Sequence, residues 1–147
     1  MAPLLYRQPW DSRTEVRLSE RIDGSRALAQ RCAELLDEKK LQDVTIFQVG
    51  DVIQITEYFV IASGLSSRHI RNVSGYLSKT LREEGVLRTG LEGYHEGKWI
   101  LLDYDEVVIH LFLVDNRRFY DLELLWGDCP RVEWSSSGRS AAPGSPG

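Results

Sequence analysis

The 29 residues from Lys98 to Trp126, KWILLDYDEVVIHLFLVDNRRFYDLELLW, limit the fold more tightly than any other stretch of the chain. Residues 99–104 and 106–114 are dense in β-branched and aromatic side chains. Between them Asp105, with either Tyr104 or Glu106, supplies a two-residue turn, so the stretch predicts a β-hairpin. Side chains alternate along each strand, and a two-residue loop keeps paired positions on the same parity. One face then carries Ile100, Leu102, Tyr104, Val107, Ile109, Leu111 and Leu113, an ordinary core set. The other carries Trp99, Leu101, Asp103, Val108, His110 and Phe112, which mixes a carboxylate and an imidazole with two large aromatic rings.

A charged Asp is almost never fully buried without a partner, so this second face is expected to be at least partly open to water. An open sheet face bearing Trp, Phe and His is a candidate contact surface. The plainer alternative pairs Asp103 and His110 with each other, or with backbone, beneath a covering helix. A short helix is predicted over residues 117–125, with Asp115 as its N-cap, Phe119, Leu122 and Trp126 at helical spacing, and Gly127 at the C-terminal cap.

The rest of the chain reads as support for that hairpin. Residues 1–22 contain two prolines and scattered charge without a clear period, and are expected to form a flexible N-terminal extension. Over residues 25–40, Leu28, Cys32, Leu35 and Leu36 recur at helical spacing, with Asp23 or Ser25 available as a cap. Residues 43–49 are apolar on both parities, which predicts a strand covered on both faces and lying inside the sheet. Gly50-Asp51 signals a turn, and EYFVIAS at residues 57–63 predicts a strand ended by Gly64. Ser66 or Ser67 then caps a helix whose stripe Ile70, Val73, Leu77 and Leu81 stops at Gly85, well placed for a left-handed cap. Residues 90–97 hold three glycines and read as a loop or a short edge strand. The end, residues 135–147, is SSSGRSAAPGSPG, a Ser/Gly/Pro tail expected to stay disordered. A helix, two strands, a helix, further strands and a last helix predict a single small α/β domain over residues 23–134, with a mixed β-sheet flanked by helices.

Composition excludes several roles. With 147 residues there is room for one domain and one core. A formal charge of −4 argues against broad nucleic-acid binding, which needs clustered Lys and Arg, and suits a basic protein partner better. Two cysteines, Cys32 and Cys129, offer neither a disulfide framework nor a metal quartet, and a reducing cytoplasm is the expected setting. No apolar run has the length of a signal peptide core or a membrane span, so a soluble protein is expected.

Three chemical patterns invite a reading and none is specific. ASGLSS between strand and helix, followed by Arg68 and His69, resembles an anion cradle, but there is no G-x-x-x-x-G-K-[ST] and one Gly commonly just ends a strand. Asp103 and Asp105 make a D-x-D of the kind that holds a divalent metal in nucleotidyltransferases, although Asp105 is more simply a turn residue. His95 and His110 have no ligand spacing with Cys32 or Cys129, and Ser63 has no identifiable base.

Taken together, DVTIFQV, YFVIASGLSSRHIRNV and the W-x-L-L-D, V-x-H-x-F and R-x-F-Y-x-L-E-x-L-W pieces of the hairpin and last helix make the chain similar to the ribosomal silencing factor family, RsfS or Iojap, over roughly residues 25–128. The resemblance implies a nucleotidyltransferase-like fold without the catalytic signature, no cofactor, no metal and no reaction. It implies a translation repressor that binds large-subunit ribosomal protein fourteen and blocks joining of the two subunits. Carried over by position, the partner-binding residues are Trp99, Asp103, His110 and Phe112, with Tyr120 and Glu123 of the last helix beside them. The competing readings are a residual metal-dependent nucleotidyltransferase using Asp103 and Asp105, and a homodimer scaffold joined through the aromatic face.

Overall fold

The computed structural model describes residues 12–134, apart from the side chains of 12–23, 118–120, 122 and 123. Along it run α1 (Ser12–Glu38), β1 (Gln42–Gln48), α2 (Gly50–Ile53), β2 (Tyr58–Gly64), α3 (Ser67–Glu83), β3 (Gly90–Glu92), β4 (Trp99–Asp103), β5 (Val107–Leu113), α4 (Val114–Tyr120) and α5 (Leu122–Trp126). The five strands hydrogen-bond in the order β1-β2-β5-β4-β3. Strands β2 and β5 are parallel and every other neighbouring pair is antiparallel, giving the mixed sheet of a small α/β domain.

The hairpin forms as its alternation predicts. Trp99 faces Phe112 and Asp103 faces Val108. The Tyr104 amide donates to the Val107 carbonyl at 2.9 Å, which leaves Asp105-Glu106 as the loop. Asp105 takes a positive φ of 67°, which a short polar side chain tolerates, and its amide donates to Asp103 Oδ1 at 2.8 Å. Ile100, Leu102, Val107, Ile109 and Leu111 are fully buried, packed with Val60 of β2 and Ile46 of β1 against Cys32, Leu35 and Leu36 of α1 and Ile70, Leu77 and Leu81 of α3. Both long helices therefore lie on one face of the sheet.

Helix α3 starts and stops where the sequence marks it. Ser66 Oγ accepts from the His69 amide at 3.0 Å, and Gly85 just beyond the helix has φ 88°. The corner before it is tight: a Cβ on Gly64 would sit 2.5 Å from Ile70 Cγ2, so only glycine lets β2 turn into α3. His69 Nε2 donates to the Lys39 carbonyl at 2.8 Å, joining the start of α3 to the end of α1 instead of facing an anion.

Five expectations are corrected. Strand β1 is covered on both faces but lies at the sheet edge, because burial of both parities reports what is above and below a strand and not what is beside it. Its outer edge is partly paired by the C-terminal segment: the Gln48 amide donates to the Pro130 carbonyl at 2.8 Å, and the Val132 amide to the Ile46 carbonyl at 3.0 Å. Helix α1 begins at Ser12, within the stretch expected to be irregular. No proline interrupts it between Pro9 and Pro130, and once its packed C-terminal half has nucleated, Glu- and Arg-rich turns propagate without an apolar period. Ser25 accordingly lies inside the helix and bonds Glu106 at the hairpin tip rather than capping. The last helix is two short ones, broken at Asp121 (φ 46°), and Gly127 has a right-handed φ of −61° rather than a left-handed cap.

Candidate partner-binding face

The sheet face opposite α1 and α3 divides into a sealed half and an open half. Phe47 and Phe112 are fully buried and His110 is 5% exposed, whereas Trp99, Leu101 and Asp103 are half-buried. Phe47, Val49, Phe59, Ile61 and Phe112 form a second core under Ile53, Trp126 and Cys129. Trp126 sets its edge against Phe59 at 5.5 Å, and the Arg131 guanidinium lies 5.2 Å above Phe47. This cover corrects the expectation that Phe112 and His110 are surface anchors. A helix alone does not supply the cover: Cys129 and Arg131 of the C-terminal segment form part of it.

Nor do Asp103 and His110 pair with each other. Asp103 accepts from the Asp105 amide within the turn, while His110 Nδ1 accepts from Trp99 Nε1 at 3.1 Å. An accepting Nδ1 requires a neutral ring with its proton on Nε2. Burial enforces the same state, pushing the His110 pKa down from 6.5 to about 4. The rings around it are Phe59 at 4.6 Å, Trp99 at 5.9 Å and Phe112 at 6.3 Å, none of them charged.

Trp99 is thereby held on two sides. Its indole stacks on Phe112 with centroids 4.9 Å apart and planes inclined by 28°, and its N–H is taken by His110. What remains lines a groove of about 320 Å³ together with Glu92, Glu96, Lys98, Leu101 and Asn116. Backbone contact fixes one wall: Gly93 has φ 77°, and a Cβ there would lie 2.0 Å from the Trp99 carbonyl oxygen. Arg71 of α3 pins the loop that follows, donating to the Tyr94 carbonyl at 3.1 Å and the His95 carbonyl at 3.3 Å. Arg117 ties α4 to the sheet, donating to the Asp43 carbonyl at 2.7 Å and Ser63 Oγ at 2.9 Å.

Of the residues expected at the site, Trp99, His110 and Phe112 come together. Asp103 stands four residues along β4, roughly 13 Å away at the rise of a strand, and serves the turn. The side chains of Tyr120 and Glu123 lie outside the described residues. Glu92, Glu96 and Asn116 belong to the groove and are not foreseen from the sequence, which leaves residues 90–97 as a loop or short edge strand without the register that puts Glu92 opposite Leu101. Leu124 and Leu125 on α5 are 81% and 68% exposed, an apolar pair on a chain segment that also sends Trp126 into the second core. Among the described residues no group of three His, Cys, Asp or Glu side chains is placed to hold a metal ion, and no helix is long and apolar enough to cross a membrane.

Residues 22–145 match the family model described as "Ribosomal silencing factor during starvation". The chain belongs to the RsfS family. Among the family's members, the ribosomal silencing factor RsfS of Halalkalibacterium halodurans is 35% identical over 110 residues, which is 75% of this chain and 94% of that one. The mouse protein named "Mitochondrial assembly of ribosomal large subunit protein 1" is 36% identical over 95 residues, 63% of this chain and 42% of the longer mouse chain. A crystal structure of a Bacillus halodurans protein superposes with a TM-score of 0.64 at 33% identity, covering 73% of this chain and 97% of the other. The bacterial relatives carry the name ribosomal silencing factor.

Proposed function

We propose that this chain is a translation repressor that binds the large ribosomal subunit through ribosomal protein fourteen and, by occupying that surface, keeps the small subunit from joining. The observation that carries the reading is Trp99: a half-buried indole, fixed on two sides and lining a groove that also holds Glu92 and Glu96. A rigid aromatic beside carboxylates is the make-up of a hot spot for a basic partner, through ring contact and ion pairing together. Family membership and the large-subunit wording of the mouse relative's name support the same target. Asp103 supports the hairpin turn, so the reading requires no chemistry from the D-x-D pair. In this reading residues 23–134 form the binding body, with α1 reaching back to Ser12, the flanking ends are appendages, and the cytoplasm is the place of action.

Co-sedimentation with purified large and small subunits, followed by a subunit-joining assay, tests it. The full chain is expected to pellet with large subunits only and to inhibit joining. Trp99→Ala is expected to lose about 2 kcal/mol of binding, roughly a thirtyfold weakening, while keeping a cooperative unfolding transition. Binding that survives Trp99→Ala unchanged, or equal binding to both subunits, defeats the proposal.

A further inference from the structure

We propose that His110 is a positioning residue for the partner contact: from beneath the surface, its Nδ1 holds the Trp99 indole flat on Phe112 with the remaining indole surface presented to the groove. The inference rests on the reading of Trp99 given above and assigns His110 a different role from direct contact, since it is 5% exposed and has almost no surface to offer a partner.

The geometry is specific. Trp99 and Phe112 are register partners on β4 and β5, and His110 stands two residues from Phe112 on the same face, opposite Leu101. An indole at position 99 has one hydrogen-bond donor and no acceptor. Stacking on Phe112 sets the plane of the ring but gives its N–H no acceptor. The 3.1 Å bond to His110 fixes that N–H end. The other ring nitrogen, Nε2, is buried with no hydrogen-bond partner among the described residues, so the imidazole is retained at a desolvation cost that an apolar residue would avoid. Its neighbours Phe59 and Phe112 are apolar and need no imidazole for packing. What the imidazole supplies that a Leu would not is an acceptor aimed at Trp99. A side chain fixed in its binding rotamer avoids the ordering cost that a free one meets on association.

Two substitutions separate positioning from packing. His110→Leu keeps an apolar filler and removes the acceptor, whereas His110→Asn offers an oxygen near the Nδ1 position. The readouts are the Trp99 indole N–H resonance, assigned among the four tryptophans by Trp99→Phe, its exchange with water, and large-subunit affinity. The expected result is a shifted, fast-exchanging indole resonance and binding weakened roughly fivefold in His110→Leu, with both restored toward the parent in His110→Asn. Unchanged resonance and affinity in a folded His110→Leu chain overturn the inference while leaving the Trp99 reading intact. Loss of binding with an undisturbed indole also overturns it. If Trp99→Ala binds like the parent, the partner reading itself falls and takes this role with it. If His110→Leu does not fold, the decision passes to His110→Asn and the parent protein, where an indole N–H exchanging as freely as an exposed one overturns the proposal.

Discussion

At the scale of single residues, His110 gives the clearest consequence for solution behaviour. In an unfolded chain its imidazole takes up a proton near pH 6.5, whereas in the fold burial delays this to about pH 4. The fold therefore prefers the neutral ring. Its contribution is fully present above pH 6.5 and is lost as pH falls toward 4, about 2 kcal/mol of it by pH 5. Urea unfolding at pH 7.5 and pH 5 checks this by comparison. The parent is expected to lose about 2 kcal/mol more than His110→Leu over that interval, because the variant has no imidazole to titrate. Equal losses in the two chains contradict a buried, neutral His110. Cys32 obeys the same logic with opposite sign: burial pushes its thiol up to about 12, so it behaves as a small apolar filler of the first core.

At the scale of elements, α3 and the C-terminal segment make separate predictions. Gly75 sits in the middle of α3 on its exposed side, with nothing within 4 Å of where a Cβ would stand. Gly75→Ala is expected to raise stability by about 0.5–1 kcal/mol, read as a higher urea midpoint at unchanged slope. The segment after α5 acts as an edge guard. Besides the two backbone bonds to β1, Trp134 Nε1 donates to the Val44 carbonyl at 3.1 Å, Gln30 donates to the Glu133 carbonyl at 2.8 Å, and Val132 is 5% exposed. A chain ending at Asp128 gives up these bonds and that burial, and is expected to lose about 3 kcal/mol. It also bares an edge strand with apolar residues on both faces, so light scattering should show concentration-dependent self-association that the full chain lacks. A shortened chain that stays monomeric at full stability would contradict the edge role.

At the scale of the whole molecule, charge decides how a partner is approached and shape decides where it is held. The chain carries −4 overall, and the groove beside Trp99 carries Glu92 and Glu96 against Lys98. Association with large subunits is therefore expected to slow as salt rises from 50 to 300 mM, mainly through the on-rate, while dissociation, set by the Trp99 contact, changes little. Stopped-flow measurements at several salt concentrations separate the two. A salt-independent on-rate would remove the electrostatic part of the account.

Alternation over residues 99–113 was enough to predict the hairpin, its loop at Asp105 and the inward set Ile100 to Leu111, because side-chain parity and turn chemistry are local properties. The stripe and caps of α3 were legible for the same reason. Strand β1 reads as interior but lies at the sheet edge, and His110 and Phe112 read as surface residues but lie beneath it. In both cases the deciding neighbour is distant in sequence: Pro130–Val132 beside β1, and Trp126 over Phe59, which packs on His110. Local patterning was enough for the hairpin strands, the stripe of α3, the inward faces and the family. Which aromatic ring keeps open surface came from the packing of distant segments, because exposure is a property of what lies on top, and nothing in a strand's own alternation encodes that.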